Sequence, residues 1–111
     1  MTPEGYVVRA VLEYLQMRGI FAWRNNTTGI YDQALKRYRP NHGLNGVADI
    51  LAILPQGRFL AVECKSERGK LSDAQRMFAV AVNDAGGVYC VVRPNNYISV
   101  LDRIIKDAEA A

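Results

Sequence analysis

The chain has 111 residues, half of them hydrophobic, which suffices for one hydrophobic core and is too little for two domains that each bury their own. With 23% charged residues, 4 prolines and 9 glycines, it excludes a disordered, collagenous or low-complexity protein. Lys and Arg outnumber Asp and Glu by 14 to 11, and the whole surplus falls between Phe21 and Val47, so an anionic partner should be met by that segment rather than by the entire surface.

Thr2-Pro3-Glu4 reads as a helix start, with Thr2 as cap, Pro3 at the first helical position and an acid where the helix dipole favours one. Val7, Val8, Val11, Leu12 and Leu15 then recur at helical steps, and Gly19 is a C-terminal stop. This start lacks the basic and apolar regions of a signal peptide, and no apolar run approaches the ~18–20 residues that cross a bilayer; a cytoplasmic protein with no membrane partner is expected. Phe21-Ala22-Trp23 is a short strand, and the segment from Asn25 to Gly46 reads as a long polar loop without periodicity. Val47 to Leu54 forms an apolar strand, Pro55-Gln56-Gly57-Arg58 a type II turn, and Phe59 to Lys65 the returning strand of a hairpin. Ser72-Asp73-Ala74-Gln75 is a capping box that opens a helix to about Asp84. Val88 to Val92 is a further strand, and Asn95 or Asn96 caps a last helix through Lys106. The order α-β-β-β-α-β-α predicts one α/β domain over residues 1–111, with a mixed sheet flanked by helices.

The hairpin sets Asp49 beside Glu63, and strand alternation puts Lys65 on the face of Glu63. Two adjacent carboxylates in a core strand repel each other and resist desolvation unless a divalent cation or a basic neighbour offsets their charge. Oxygen ligands without His or Cys favour Mg²⁺ or Mn²⁺, ions that bind through one or two carboxylates together with water and substrate phosphate. The predicted chemistry is therefore phosphodiester hydrolysis with Lys65 assisting. In isolation, Glu63-x-Lys65 would be a solvated ion pair, and Gln75 could merely cap its own helix. Lys36-Arg37-Tyr38-Arg39 interleaves cations with an aromatic ring, as a DNA-contacting loop would; Arg24, Asn25 and Asn26, which lead out of the first strand, and Lys70 are further candidates for contact with the substrate backbone, although polar residues leaving a strand are also ordinary turn material. Cys64 and Cys90 lack zinc-site spacing and read as reduced core thiols, and the single histidine, His42, is assigned no role.

Gly46-Val47-Ala48-Asp49, Glu63-Cys64-Lys65 and Gly69-Lys70-Leu71-Ser72-Asp73-Ala74-Gln75 together resemble the VRR-NUC family of the PD-(D/E)XK nuclease superfamily over nearly the whole chain. The resemblance implies a restriction-endonuclease-like fold. It also implies a catalytic set of Asp49, Glu63, Lys65 and Gln75, with Glu4 of the first helix in support and Glu13 as the alternative acid. Metal ligation would fall to Asp49, Glu63, Glu4 and the backbone carbonyl of Cys64. Small stand-alone members, found in phage and bacterial proteins, look like dimeric Holliday-junction resolvases. The expectation is thus a homodimeric, metal-dependent DNA endonuclease acting on four-way junctions, with no organic cofactor. A flap or fork nuclease of the same chemistry and a non-catalytic nucleic-acid-binding module are the alternatives. Ala48 departs from the proline that often precedes the aspartate in this family, a position that shapes backbone and supplies no ligand.

Overall fold

The computed structural model describes residues 2–25, 30–39 and 44–111. Helix α1 (Pro3–Met17) starts as its sequence dictates: the Thr2 side chain accepts from the Gly5 N–H at 3.0 Å and Pro3 occupies the first turn. Gly19 at φ +76° then turns the chain into strand β1 (Phe21–Arg24). The next elements, β2 (Ile30–Asp32) and β3 (Arg37–Arg39), pair as a separate antiparallel hairpin. β4 (Ile50–Ile53) and β5 (Phe59–Cys64) form the central hairpin. Helix α2 (Asp73–Asp84), strand β6 (Val88–Val92) and helix α3 (Tyr97–Ala110) complete the chain.

The main sheet runs β1-β4-β5-β6, antiparallel except for the parallel β5–β6 pair, which α2 connects. Val7, Val8, Val11 and Leu15 of α1 and Leu101, Ile105 and Ala108 of α3 pack on one face against Ile50, Ala52, Leu60, Val62 and Val92. On the other face Val82 and Phe78 of α2 meet Ala61, Leu51, Phe59 and Tyr89. The predicted mixed α/β sheet flanked by helices is therefore present. Among the described residues no helix is long and apolar enough to cross a membrane.

Three local readings are revised. The segment read as a loop from Asn25 to Gly46 contains the β2–β3 hairpin, whose three-residue strands are too short to show an alternation. The strand predicted from Val47 begins only at Ile50, because Gly46 at φ +77° brings the chain so close to α2 that a Cβ there would lie 2.3 Å from the Ala74 carbonyl oxygen. The final helix extends past Lys106 to Ala110. The turn at Leu54–Gly57 is of type II, closed by Gly57 N–H to Leu54 O at 3.0 Å, with Gln56 rather than glycine in the left-handed slot at φ +69°.

Candidate active site

The topology collects functional side chains at one end of the sheet. β1 and β5 finish there, β4 begins there, and the antiparallel register Ile50↔Val62 leaves Asp49 next to Glu63. β6, parallel to β5, also finishes at this end. The first turns of α1 and α2 close over it, bringing Glu4 and Gln75.

Asp49 is held by an unusual substitution in the ladder: its Oδ2, instead of a backbone carbonyl, accepts from the Cys64 N–H at 2.8 Å. Glu63 is buried at 3% exposure, and its Oε1 accepts from Gln75 Nε2 at 3.2 Å. Among the described residues its Oε2 is buried without a hydrogen-bond partner. Burial pushes the Glu63 carboxyl up to about 8, and the adjacent Asp49 carboxylate adds to that rise, both as a hydrogen-bonding neighbour and by charge repulsion; the Lys65 ammonium opposes it.

Gln75 serves two roles at once through opposite ends of its amide. Its Oε1 accepts from the Ser72 N–H at 2.8 Å, completing the capping box with Ser72, while Nε2 reaches Glu63. The helix cap therefore fixes the orientation of the amide that holds Glu63. Glu4 faces the same end: a Cβ on Gly69 would be 3.4 Å from its Oε1 and 3.3 Å from Lys65 Cδ. Glu13, by contrast, pairs with Arg9 at 3.3 Å on the solvent side of α1. Among the described residues no three His, Cys, Asp or Glu side chains gather closely enough to hold one ion, so Glu4 is not drawn into a single ligand cluster with Asp49 and Glu63.

One residue absent from the sequence-based site organises its rim. The Arg93 guanidinium donates from Nη1 to the carbonyl oxygens of Ser66 at 2.6 Å, Glu67 at 3.3 Å and Gly69 at 2.9 Å. Asn96 Oδ1 accepts from the Arg93 N–H at 2.7 Å, and the Lys65 N–H extends the β5–β6 ladder to Val92 O at 2.9 Å. Arg93 thus clamps the turn that follows Lys65. The signal in sequence is Val91-Val92-Arg93, which loosely resembles the motif after which the VRR-NUC family is named; the clamping role of the arginine follows only once β6 is known to lie parallel to β5.

The predicted DNA-contacting residues divide. Arg24 is exposed at the end of β1, paired with Ile50 one residue from Asp49, and Lys70 is exposed in the segment leading to α2. Lys36 is exposed in the β2–β3 turn with φ +52°, and Arg37, Tyr38 and Arg39 form β3. Asn26 and His42 lie outside the described residues. Cys64 and Cys90 are free thiols.

A buried glutamate beside a half-buried aspartate, an amide gripping the glutamate and a lysine, all at one end of a mixed sheet, define an α/β domain with an acidic centre. The VRR-NUC domain family matches residues 7–95, and the chain belongs to that family, a nuclease-type domain that binds nucleic acid. Glu4 lies just outside the matched residues. The curated proteins contain no match to the chain.

Proposed function

We propose that the protein is a divalent-metal-dependent DNA endonuclease with Asp49, Glu63 and Lys65 at its catalytic centre, acting on branched DNA of the four-way-junction type. The observation that carries this reading is the pairing of Asp49 with a buried Glu63 whose Oε2 has no partner among the described residues. Such a pair stays costly until something positive meets it. The donor set fits a hard cation such as Mg²⁺ or Mn²⁺, held by Asp49 and Glu63, the Cys64 carbonyl and solvent. When bound, the ion would supply charge neutralisation at the phosphate and a more acidic water.

The chain's own residues do the rest. Gln75 keeps Glu63 Oε1 occupied, so that Oε2 is the atom presented to a ligand. Without a cation, Glu63 retains a proton to about pH 8. Lys65, its stem against the Gly69 turn that Arg93 clamps, offers a positive charge to the phosphate oxygens as negative charge develops there. Arg24, Lys36 and Lys70 extend positive charge outward along the path of a DNA backbone.

A homodimer suits a substrate with two-fold symmetry, because two related centres cut two related strands. Its support here is the open edge strand β1, where Phe21 and Trp23 stack with centroids 5.3 Å apart and Phe21 is 72% exposed. The testing experiment incubates labelled four-way junction, flap, duplex and single-stranded DNA with Mg²⁺, Mn²⁺ or EDTA, beside Asp49→Asn. Paired, metal-dependent junction cuts that vanish in the variant are expected; unchanged cutting by Asp49→Asn defeats the assignment. Sedimentation of the wild type and of Trp23→Ser reports the dimer.

A further inference from the structure

We propose that Asn25 is a substrate-binding residue of this centre, its side-chain amide donating a hydrogen bond to a non-bridging oxygen of the phosphodiester held beside Asp49 and Glu63. The proposal rests on the nuclease reading and adds to it a residue on a different strand. β1 pairs with β4 through Arg24↔Ile50, and the Asn25 N–H continues the ladder to Asp49 O at 2.8 Å. Asn25 therefore flanks Asp49 on the side away from Glu63. The alternation of β1, with Ala22 buried beneath α1, carries Trp23 and then Asn25 toward the opposite face. That is the face of Glu63, whose neighbours in β5, Ala61 and Phe59, pack with α2.

Asn25 Nδ2 is buried and, among the described residues, has no hydrogen-bond partner. A buried amide kept for structure would find its acceptor within the fold, since leaving one unmade costs stability with no return. Only two other buried side-chain atoms among the described residues share that condition, Glu63 Oε2 and the Tyr89 hydroxyl, and both belong to the same sheet face. Asn25 and Glu63 flank Asp49 from the two neighbouring strands, so two of these three unmet atoms belong to residues on either side of the same carboxylate. The two carboxylates can hold a cation but repel phosphate, and Lys65 sits on the far side of Glu63. A neutral donor next to Asp49 meets a phosphate oxygen without competing for the cation, which a lysine or arginine in that place would do.

The test uses the DNA that the wild type cuts, resynthesised with a single phosphorothioate of defined configuration at the cleaved bond and assayed in Mn²⁺, so that sulfur contact with the ion is tolerated. Wild type is expected to lose ~10-fold or more on one stereoisomer, because sulfur accepts a hydrogen bond poorly. Asn25→Ala should be slowed to a similar degree on ordinary DNA and lose nothing further on that stereoisomer, with its melting temperature at or above that of the wild type. Asn25→Asp, which places a third carboxylate at the phosphate, should be slower still. A full sulfur penalty retained in Asn25→Ala, or an unslowed Asn25→Ala, overturns the proposal and leaves the nuclease reading standing. A wild type that cuts no DNA in either metal overturns both.

Discussion

Helix α1 carries a charged cluster at each end, and the two are assembled on opposite rules. At the C-terminal end Arg18 donates to Asp102 of α3 at 2.8 Å and to the Tyr14 hydroxyl, and Lys106 approaches Asp102 at 3.0 Å. Charges there alternate in sign and remain partly in water, and Lys106, with Arg18, holds the Asp102 carboxyl below its usual range. At the N-terminal end Glu4, Asp49 and Glu63 face a single lysine, Lys65, and the most buried of the acids is pushed up rather than down. The first cluster is complete as folded and fastens α1 to α3. The second, among the described residues, leaves a donor and an acceptor unmet, which is the basis for the proposal that this end binds the substrate.

The largest effect should come from emptying the second cluster of charge. Glu63→Gln and Asp49→Asn are expected to lower cleavage by ~10³-fold or more, the scale of the several kcal/mol that charge stabilisation at a transferring phosphate supplies, measured as kcat on labelled DNA. Stability should move the other way for Glu63→Gln, because the amide carries no charge to bury. The pH profile sharpens the point. Glu63 keeps its proton to about 8 when folded but only to about 4.5 when unfolded, so between those values the folded state binds more protons. Stability from this group is full below about pH 4.5 and is lost as pH rises toward 8, with a limiting slope of ~1.4 kcal/mol per unit. Urea melts from pH 5 to 8 should show the decline in wild type, its absence in Glu63→Gln, and its reduction by Mg²⁺ if that ion takes the ionised carboxylate.

The contrast also explains how much was legible in the sequence. Asp49, Glu63 and Lys65 could be placed together because a tight turn fixes cross-strand register and alternation fixes the face. Ser72 and Gln75 were legible as a cap because a capping box is a local pattern. That one amide would cap the helix and hold Glu63 simultaneously was not, since it depends on how closely α2 approaches the sheet, a distance set by the missing Cβ of Gly46. For Asn25 the sequence leaves substrate contact and turn material as equal readings, because its neighbour Asp49 is 24 positions away and meets it only through the β1–β4 ladder. Arg93 is legible only as part of a loose Val91-Val92-Arg93 motif, its role fixed by the same kind of long-range pairing, and the β2–β3 hairpin escapes because strands of three residues are too short to show a period.

Arg93 tests whether the binding end depends on its rim. Arg93→Ala removes three carbonyl contacts to the 66–69 turn and should cost ~1.5–3 kcal/mol, the range for hydrogen bonds to a charged group, read from denaturant midpoints. Arg93→Lys keeps the charge but ends in an ammonium that falls short of the position Nη1 holds among the three carbonyls, so it should retain most of the stability while slowing cleavage by up to ~10²-fold through a displaced Lys65. Equal rates for wild type and Arg93→Lys would show that the turn holds Lys65 without the clamp.

The smallest effect belongs to the opposite end of α1. Asp102→Asn removes the acid shared by Arg18 and Lys106, yet both cations keep water, and Arg18 keeps the Tyr14 hydroxyl. Exposed pairs of this kind gain little over solvation and fade as salt rises. A slight fall in melting temperature at low ionic strength, vanishing in molar salt, with cleavage unchanged, is the expected outcome. A loss of cleavage in Asp102→Asn would mean that the position of α1, and of Glu4 at its far end, depends on the Arg18 contact. The two ends of the helix would then be coupled through its length rather than independent.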